Sequence, residues 1–182
     1  MSTYIGTYTG RCIDLLNPTP GDIDVKDLEW HLSAVNRWVG ATGSAISVAE
    51  HSVLVASLFT DPYDQLAALT HDASEGYLGD VTRSLKALLP EYRKIEEVWM
   101  GVMAERFGVR YDSPALKLAD NAVLLAEMQQ HANPRMREVL RRNGFDFDTY
   151  KPAALTVSGW GRTAARNIYG QALEKACQAV AA

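Results

Sequence analysis

Cysteine is scarce in this chain: 182 residues contain only Cys12 and Cys177, far apart and without the close spacing of a thiolate metal site. That excludes a disulfide framework or a zinc–thiolate cluster and predicts a reducing, cytoplasmic setting. Long apolar runs are missing as well. Nowhere do about 18 apolar residues follow one another, and no basic segment leads into an apolar run at the N-terminus. Neither a membrane span nor a secretory signal is expected. Excess positive charge is also lacking. With 18 Lys and Arg against 22 Asp and Glu, the net charge is −4, which gives no electrostatic reason to expect duplex nucleic acid or an anionic membrane as partner. Local basic residues can still hold a small phosphorylated ligand.

What is present is a hydrophobic content of 47%, ordinary for a globular protein and enough for one domain over residues 1–182. Tyr4–Tyr8 and Arg11–Leu15, joined at Thr9-Gly10, predict a short β-hairpin, because aromatic and β-branched residues suit paired strands. Asn17-Pro18-Thr19-Pro20-Gly21 breaks the chain, and from there the pattern is helical. Leu28, Leu32 and Val35, with Val25 and Trp38 nearby, form a stripe opening after Asp24, a suitable cap.

Gly40–Ser44 reads as a loop, and Ser47-x-x-Glu50 as a capping box that places His51 in the first turn of a second helix. Asp61-Pro62 opens a third helix, with His71-Asp72 near its end. Leu85, Leu88 and Leu89 predict a short helix before Pro90. Tyr92 to Met103 predict a longer one closed at Gly108. Ser113-Pro114 caps a helix with Leu116, Val123, Leu124 and Met128 on its apolar side, interrupted at Asn133-Pro134. Phe145–Trp160 reads as irregular, and Ala164, Ile168, Ala172 and Ala176 mark a final helix. The expected fold is all-α, a helical bundle with an N-terminal hairpin, without repeats or linkers.

Chemistry concentrates at His51, His71-Asp72 and Asp120. Two imidazoles and two carboxylates form a nitrogen/oxygen set suited to a divalent metal, and without thiolates it can leave coordination positions open for water and substrate. Consecutive helical residues point about 100° apart, so His71 and Asp72 reach one ion between their directions while His51 and Asp120 arrive from two other helices. Taken singly, each has a plainer reading: a lone histidine is usually a satisfied core or surface residue, and a buried aspartate can be met by hydrogen bonds.

The linked motifs go further. Asn36-Arg37-Trp38, Val48-Ala49-Glu50-His51-Ser52, His71-Asp72-Ala73-Ser74-Glu75, Gly79-Asp80 and Leu118-Ala119-Asp120 cover about residues 36–125. In this order the chain resembles the HD-domain metal-dependent phosphohydrolases. More narrowly it resembles their small 5′-deoxynucleotidase branch, which includes compact versions carried by phages. The resemblance implies an HD-domain helical bundle with metal ligands at His51, His71, Asp72 and Asp120. The ion would be manganese, cobalt, iron, nickel, magnesium or zinc, a choice these ligands do not make.

Glu75 falls one turn beyond the His71-Asp72 pair and can orient a metal-bound water or take its proton; otherwise it is an exposed last-turn residue. Asp80, after Gly79, can serve the leaving group or cap a helix. The resemblance favours the catalytic role for both. Arg37 can clamp a phosphate bidentately, with Lys86 and Lys117 adding charge. Lys86 and Arg83 could equally be a solvated face. The resemblance gives Trp38 a place beside the deoxyribose; its apolar stripe gives it a place in the core. His31 and His131 match no ligand position, and Glu50 is assigned to its capping box.

The expected activity is hydrolysis of deoxynucleoside monophosphates to deoxynucleoside and phosphate, in a homo-oligomer. One alternative is a deoxynucleoside triphosphohydrolase such as a dATP-selective one, with Lys117 and Arg83 as extra phosphate ligands. Another, of a different class, is a non-catalytic metal-binding regulatory module, whose mark would be loss of a ligand or of the Glu75/Asp80 pair. None of these residues is missing.

Overall fold

The computed structural model describes residues 2–144 and 151–182. The hairpin forms: β1 (Tyr4–Gly6) pairs antiparallel with β2 (Cys12–Asp14), Ile5 opposite Ile13. Its turn is docked onto the first helix, where the buried Asp27 carboxylate accepts from the Thr9 backbone N–H and hydroxyl at 2.7 and 3.0 Å.

Most of the helices begin where a capping side chain or proline sets them going. α1 (Val25–Leu32) is capped by Asp24, α2 (Val48–Ala56) by Ser47, and α3 (Pro62–Thr70) by Asp61 with proline in its first turn. Two short helices follow, α4 (Glu75–Leu78) and α5 (Arg83–Lys86). α6 (Pro90–Phe107) ends at Gly108, whose φ of 65° is the left-handed conformation glycine adopts without strain. α7 (Pro114–His131) is capped by Ser113, α8 (Pro134–Arg142) by Asn133, and α9 (Arg162–Ala181) closes the chain.

Three sequence expectations shift. α1 stops at Leu32, so Val35 and Trp38 leave its stripe: the chain turns there to pair Asn36 with Ser47, and Trp38 and Val39 adopt positive φ. The capping box is half made. Ser47 accepts from the Glu50 N–H as expected, but the Glu50 carboxylate turns to the C-terminal segment instead. The third helix ends before His71, and turns link it to α4. Of the expected irregular stretch Phe145–Trp160, residues 145–150 lie outside the described residues, and 151–160 contain no helix or strand.

α2 packs on α3, α7 and α9, and α9 also lies against α1 and α3. Leu28, Leu32, Ile46, Leu66, Leu69, Trp99, Met103, Tyr169 and Leu173 fill the space between. The two large polar-tipped aromatics are satisfied. Tyr169 Oη donates to Leu69 O at 3.0 Å and Trp99 Nε1 to Leu15 O at 2.9 Å, as buried donors require. No helix among the described residues is long and apolar enough to cross a membrane.

Candidate metal centre

His51 enters from the first turn of α2, His71 and Asp72 from the end of α3, and Asp120 from α7. One donor atom each of His51, His71 and Asp72 lie within 4.8 Å of one another, a group that can hold a metal ion. Asp120 lies beside this group: its Oδ1 is 3.1 Å from His51 Nε2 and 3.9 Å from His71 Nε2. Asp72 Oδ2 is 3.3 Å from His71 Nε2 and 3.8 Å from His51 Nε2.

Both imidazoles are held by their far nitrogens. His71 Nδ1 donates to the Ala68 carbonyl at 2.7 Å, an acceptor only, and His51 Nδ1 donates to Glu127 Oε1 at 2.7 Å. In a neutral ring this leaves the Nε2 lone pair aimed into the cluster, the arrangement that orients metal-binding histidines.

Two such lone pairs facing two carboxylates repel unless positive charge lies between them. Without an ion, protons supply it. Burial alone would lower the His71 pKa, but Asp72 and Asp120 overcome it and push it up to about 9. His51 is likewise raised, Glu127 and Asp120 outweighing both its burial and the Arg37 charge. Burial tends to raise Asp120, yet its hydrogen bonds with His51 and His71 hold it far below the usual carboxylate range. His71 Nε2 is buried without an aligned hydrogen bond, so a cation suits this donor set. The Asp72 and Asp120 side chains keep 23% and 28% of their surface exposed while His51 keeps none, so the cluster opens to solvent on its carboxylate side.

A cleft of about 520 Å³ begins there, lined by His71, Asp72, Glu75, Arg93, Glu96 and Met100, among others. Glu75 is buried at its floor with Oε2 unpaired. Burial, then the Asp72 and Asp80 charges, push Glu75 up to about 9. Burial also raises Asp80. Glu75 is brought to the cluster by the turn after α3, not by its continuation.

The basic residues divide. Arg37, buried, donates through Nε to Glu127 Oε2 at 3.1 Å and through Nη1 to Asp72 Oδ2 at 3.2 Å. Half-buried Trp38 donates its indole N–H to Glu127 Oε2 at 3.0 Å. Lys86 donates to Glu96 and lies 3.7 Å from Glu75 Oε1. Lys117, one turn before Asp120, and Arg83 are exposed. His31 accepts from the Tyr8 N–H and His131 donates to Val157 O, so both serve packing.

Sequence reasoning missed Glu127 and Arg93. Glu127 had a signal: it follows Asp120 by about two helical turns, an acidic residue again on an apolar face. Arg93 had none, because only the fold turns α6 toward the cleft.

These features define the class: an all-α protein with a partly buried histidine/carboxylate group that could hold a metal ion. No family model matches the chain. An uncharacterised protein of Rhodobacter capsulatus is 38% identical, the match covering 68% of this chain and 70% of that protein. The uncharacterised Escherichia coli protein YfdR is 33% identical, over 69% of this chain and 70% of its own. The chain belongs to the family of these proteins.

Proposed function

We propose that the protein is a metal-dependent phosphohydrolase of the HD type, acting on deoxynucleotides as a cytoplasmic enzyme. The observation that carries this reading is the convergence of two buried histidine Nε2 atoms on Asp72 and Asp120, open on the carboxylate side. Thiolate-free sets of this kind with an open side belong to catalytic centres more than to closed structural ones. The resemblance in the motifs from Asn36 to Asp120 points to the same chemistry.

His51, His71, Asp72 and Asp120 would hold the ion, which when bound lowers the pKa of water and polarises a phosphoryl oxygen. Glu75, beside Asp72, orients the attacking water. Burial and the Asp72 and Asp80 charges keep Glu75 protonated without the ion; the ion's positive charge would offset them, freeing the carboxylate to take the water's proton. Asp80 returns a proton to the leaving oxygen. Arg37 turns from Asp72 toward the phosphate while Glu127 keeps hold of its Nε, and Lys86 lends further positive charge. Trp38 walls the sugar end.

The test is phosphate release from deoxynucleoside mono- and triphosphates and their ribonucleotide counterparts with added manganese or cobalt, comparing wild type with Asp72→Ala. Metal-dependent release from deoxynucleoside monophosphates, absent in the variant, is expected. Tripolyphosphate from a deoxynucleoside triphosphate would move the assignment to a triphosphohydrolase. Metal binding with no release from any substrate would favour a regulatory module.

A further inference from the structure

A carboxylate on the buried side of α7 is out of place by packing alone. Val123, Leu125, Ala126 and Met128 around it are buried apolar residues, and Glu127 itself is wholly inaccessible. Such a charge is retained only where donors replace its water. Here the donors are His51, Arg37 and Trp38, three side chains that meet the two Glu127 oxygens.

Its two oxygens face two different tasks. Oε1 accepts from His51 Nδ1, fixing the ring so that Nε2 faces Asp120. Oε2 accepts from Arg37 Nε and Trp38 Nε1 together. Those two residues start a turn in which Trp38 and Val39 hold φ of 58° and 54°, a conformation that non-glycine residues keep only under outside restraint. The Glu127 bond to the indole is such a restraint. One buried carboxylate therefore joins the metal-facing histidine to the arginine and tryptophan placed at the substrate.

We propose that Glu127 is a positioning residue that couples metal affinity to nucleotide recognition, an inference that rests on the metal-hydrolase reading above. Replacing Glu127 by glutamine keeps the shape but leaves one acceptor oxygen for donors on both sides, and its NH2 group faces an N–H. Either His51 or the Arg37/Trp38 pair is released.

The experiment is Co²⁺ titration of the intact protein, by calorimetry and visible absorption, for wild type, Glu127→Gln and Trp38→Phe, with and without added deoxynucleoside monophosphate. Glu127→Gln is expected to weaken Co²⁺ binding roughly 10–100-fold, as loss of a histidine-orienting carboxylate does, and to change the Co²⁺ spectrum. By linkage, the factor by which nucleotide tightens Co²⁺ shrinks toward one in this variant. Trp38→Phe keeps an aromatic side chain and removes the indole N–H that bonds Glu127, so it answers the question should Glu127→Gln fail to fold. It is expected to reduce the same factor at least threefold. Unchanged Co²⁺ affinity and coupling in a folded Glu127→Gln, or unchanged coupling in Trp38→Phe, overturns the proposal. So does a wild type that binds no Co²⁺. A wild type that binds Co²⁺ with the expected variant losses, yet releases no phosphate, upholds the positioning role and rejects only the hydrolase.

Discussion

Glu50 and His51 are neighbours on α2, both wholly buried, and turn to different partners. His51 turns to the metal cluster. Glu50 accepts the backbone N–H groups of Ser158, Gly159 and Trp160 at 3.0, 2.9 and 2.6 Å. The same segment is fastened to α7 by His131 and Gln130, which bond Val157. The C-terminal strap thus clamps together the two helices that carry His51 and Asp120. Gly159 is where it fits: with φ of 66°, any Cβ there would lie 2.6 Å from Ser44 Cβ.

Glu50→Ala strands these three part-buried N–H groups, at about 1 kcal/mol each, the low end for a donor left unmade. A total near 3 kcal/mol lowers Tm by about 6–12 °C in a domain of this size. Thermal melts of the two proteins check this, and a shift under about 2 °C would show that water replaces the carboxylate without loss.

The pH dependence of the metal-free protein follows from His71. Its folded pKa of about 9 stands above the ordinary 6.5, so its contribution to stability is full below pH 6.5 and fades as pH rises through 9. With EDTA present, Tm is expected to fall across that window, and less so in His71→Asn. Metal binding needs the neutral ring, so added Co²⁺ should tighten as pH rises over the same range. Calorimetric titration at several pH values reads this, and affinity that falls with pH would contradict the ligand role.

Glu75 lies at the cleft floor and bonds neither histidine of the cluster. Glu75→Gln is therefore expected to lower kcat by about 10²–10⁴, the range for a general acid or base, while Co²⁺ affinity changes less than threefold. Activity kept within tenfold would remove Glu75 from the chemistry.

Arg93 is exposed at the cleft wall, whereas Arg37 and Lys86 already bond carboxylates. Arg93→Ala is expected to raise KM about tenfold, the equivalent of one charge-assisted hydrogen bond of about 1.5 kcal/mol, with kcat and Tm unchanged. Steady-state kinetics decide it, and an unchanged KM would leave the phosphate to the other two.

Sequence alone determined the local features, because each depends on near neighbours. Asp24, Asp61-Pro62, Ser113-Pro114 and Gly108 mark helix ends through caps, fixed proline φ and left-handed glycine. Residue type and spacing singled out His51, His71, Asp72 and Asp120 as candidate ligands, and the fold brings His51, His71 and Asp72 within reach of one ion with Asp120 beside them. Tertiary structure decided what lies between distant positions. That Glu127 orients His51 and anchors Arg37, that Arg37 lies on Asp72, and that Glu50 holds the strap instead of closing its box are pairings across 76, 90, 35 and about 108 residues. No periodicity encodes such contacts. They arise because packing strips water from these groups, and each buried charge must then take whichever donor the fold brings within reach.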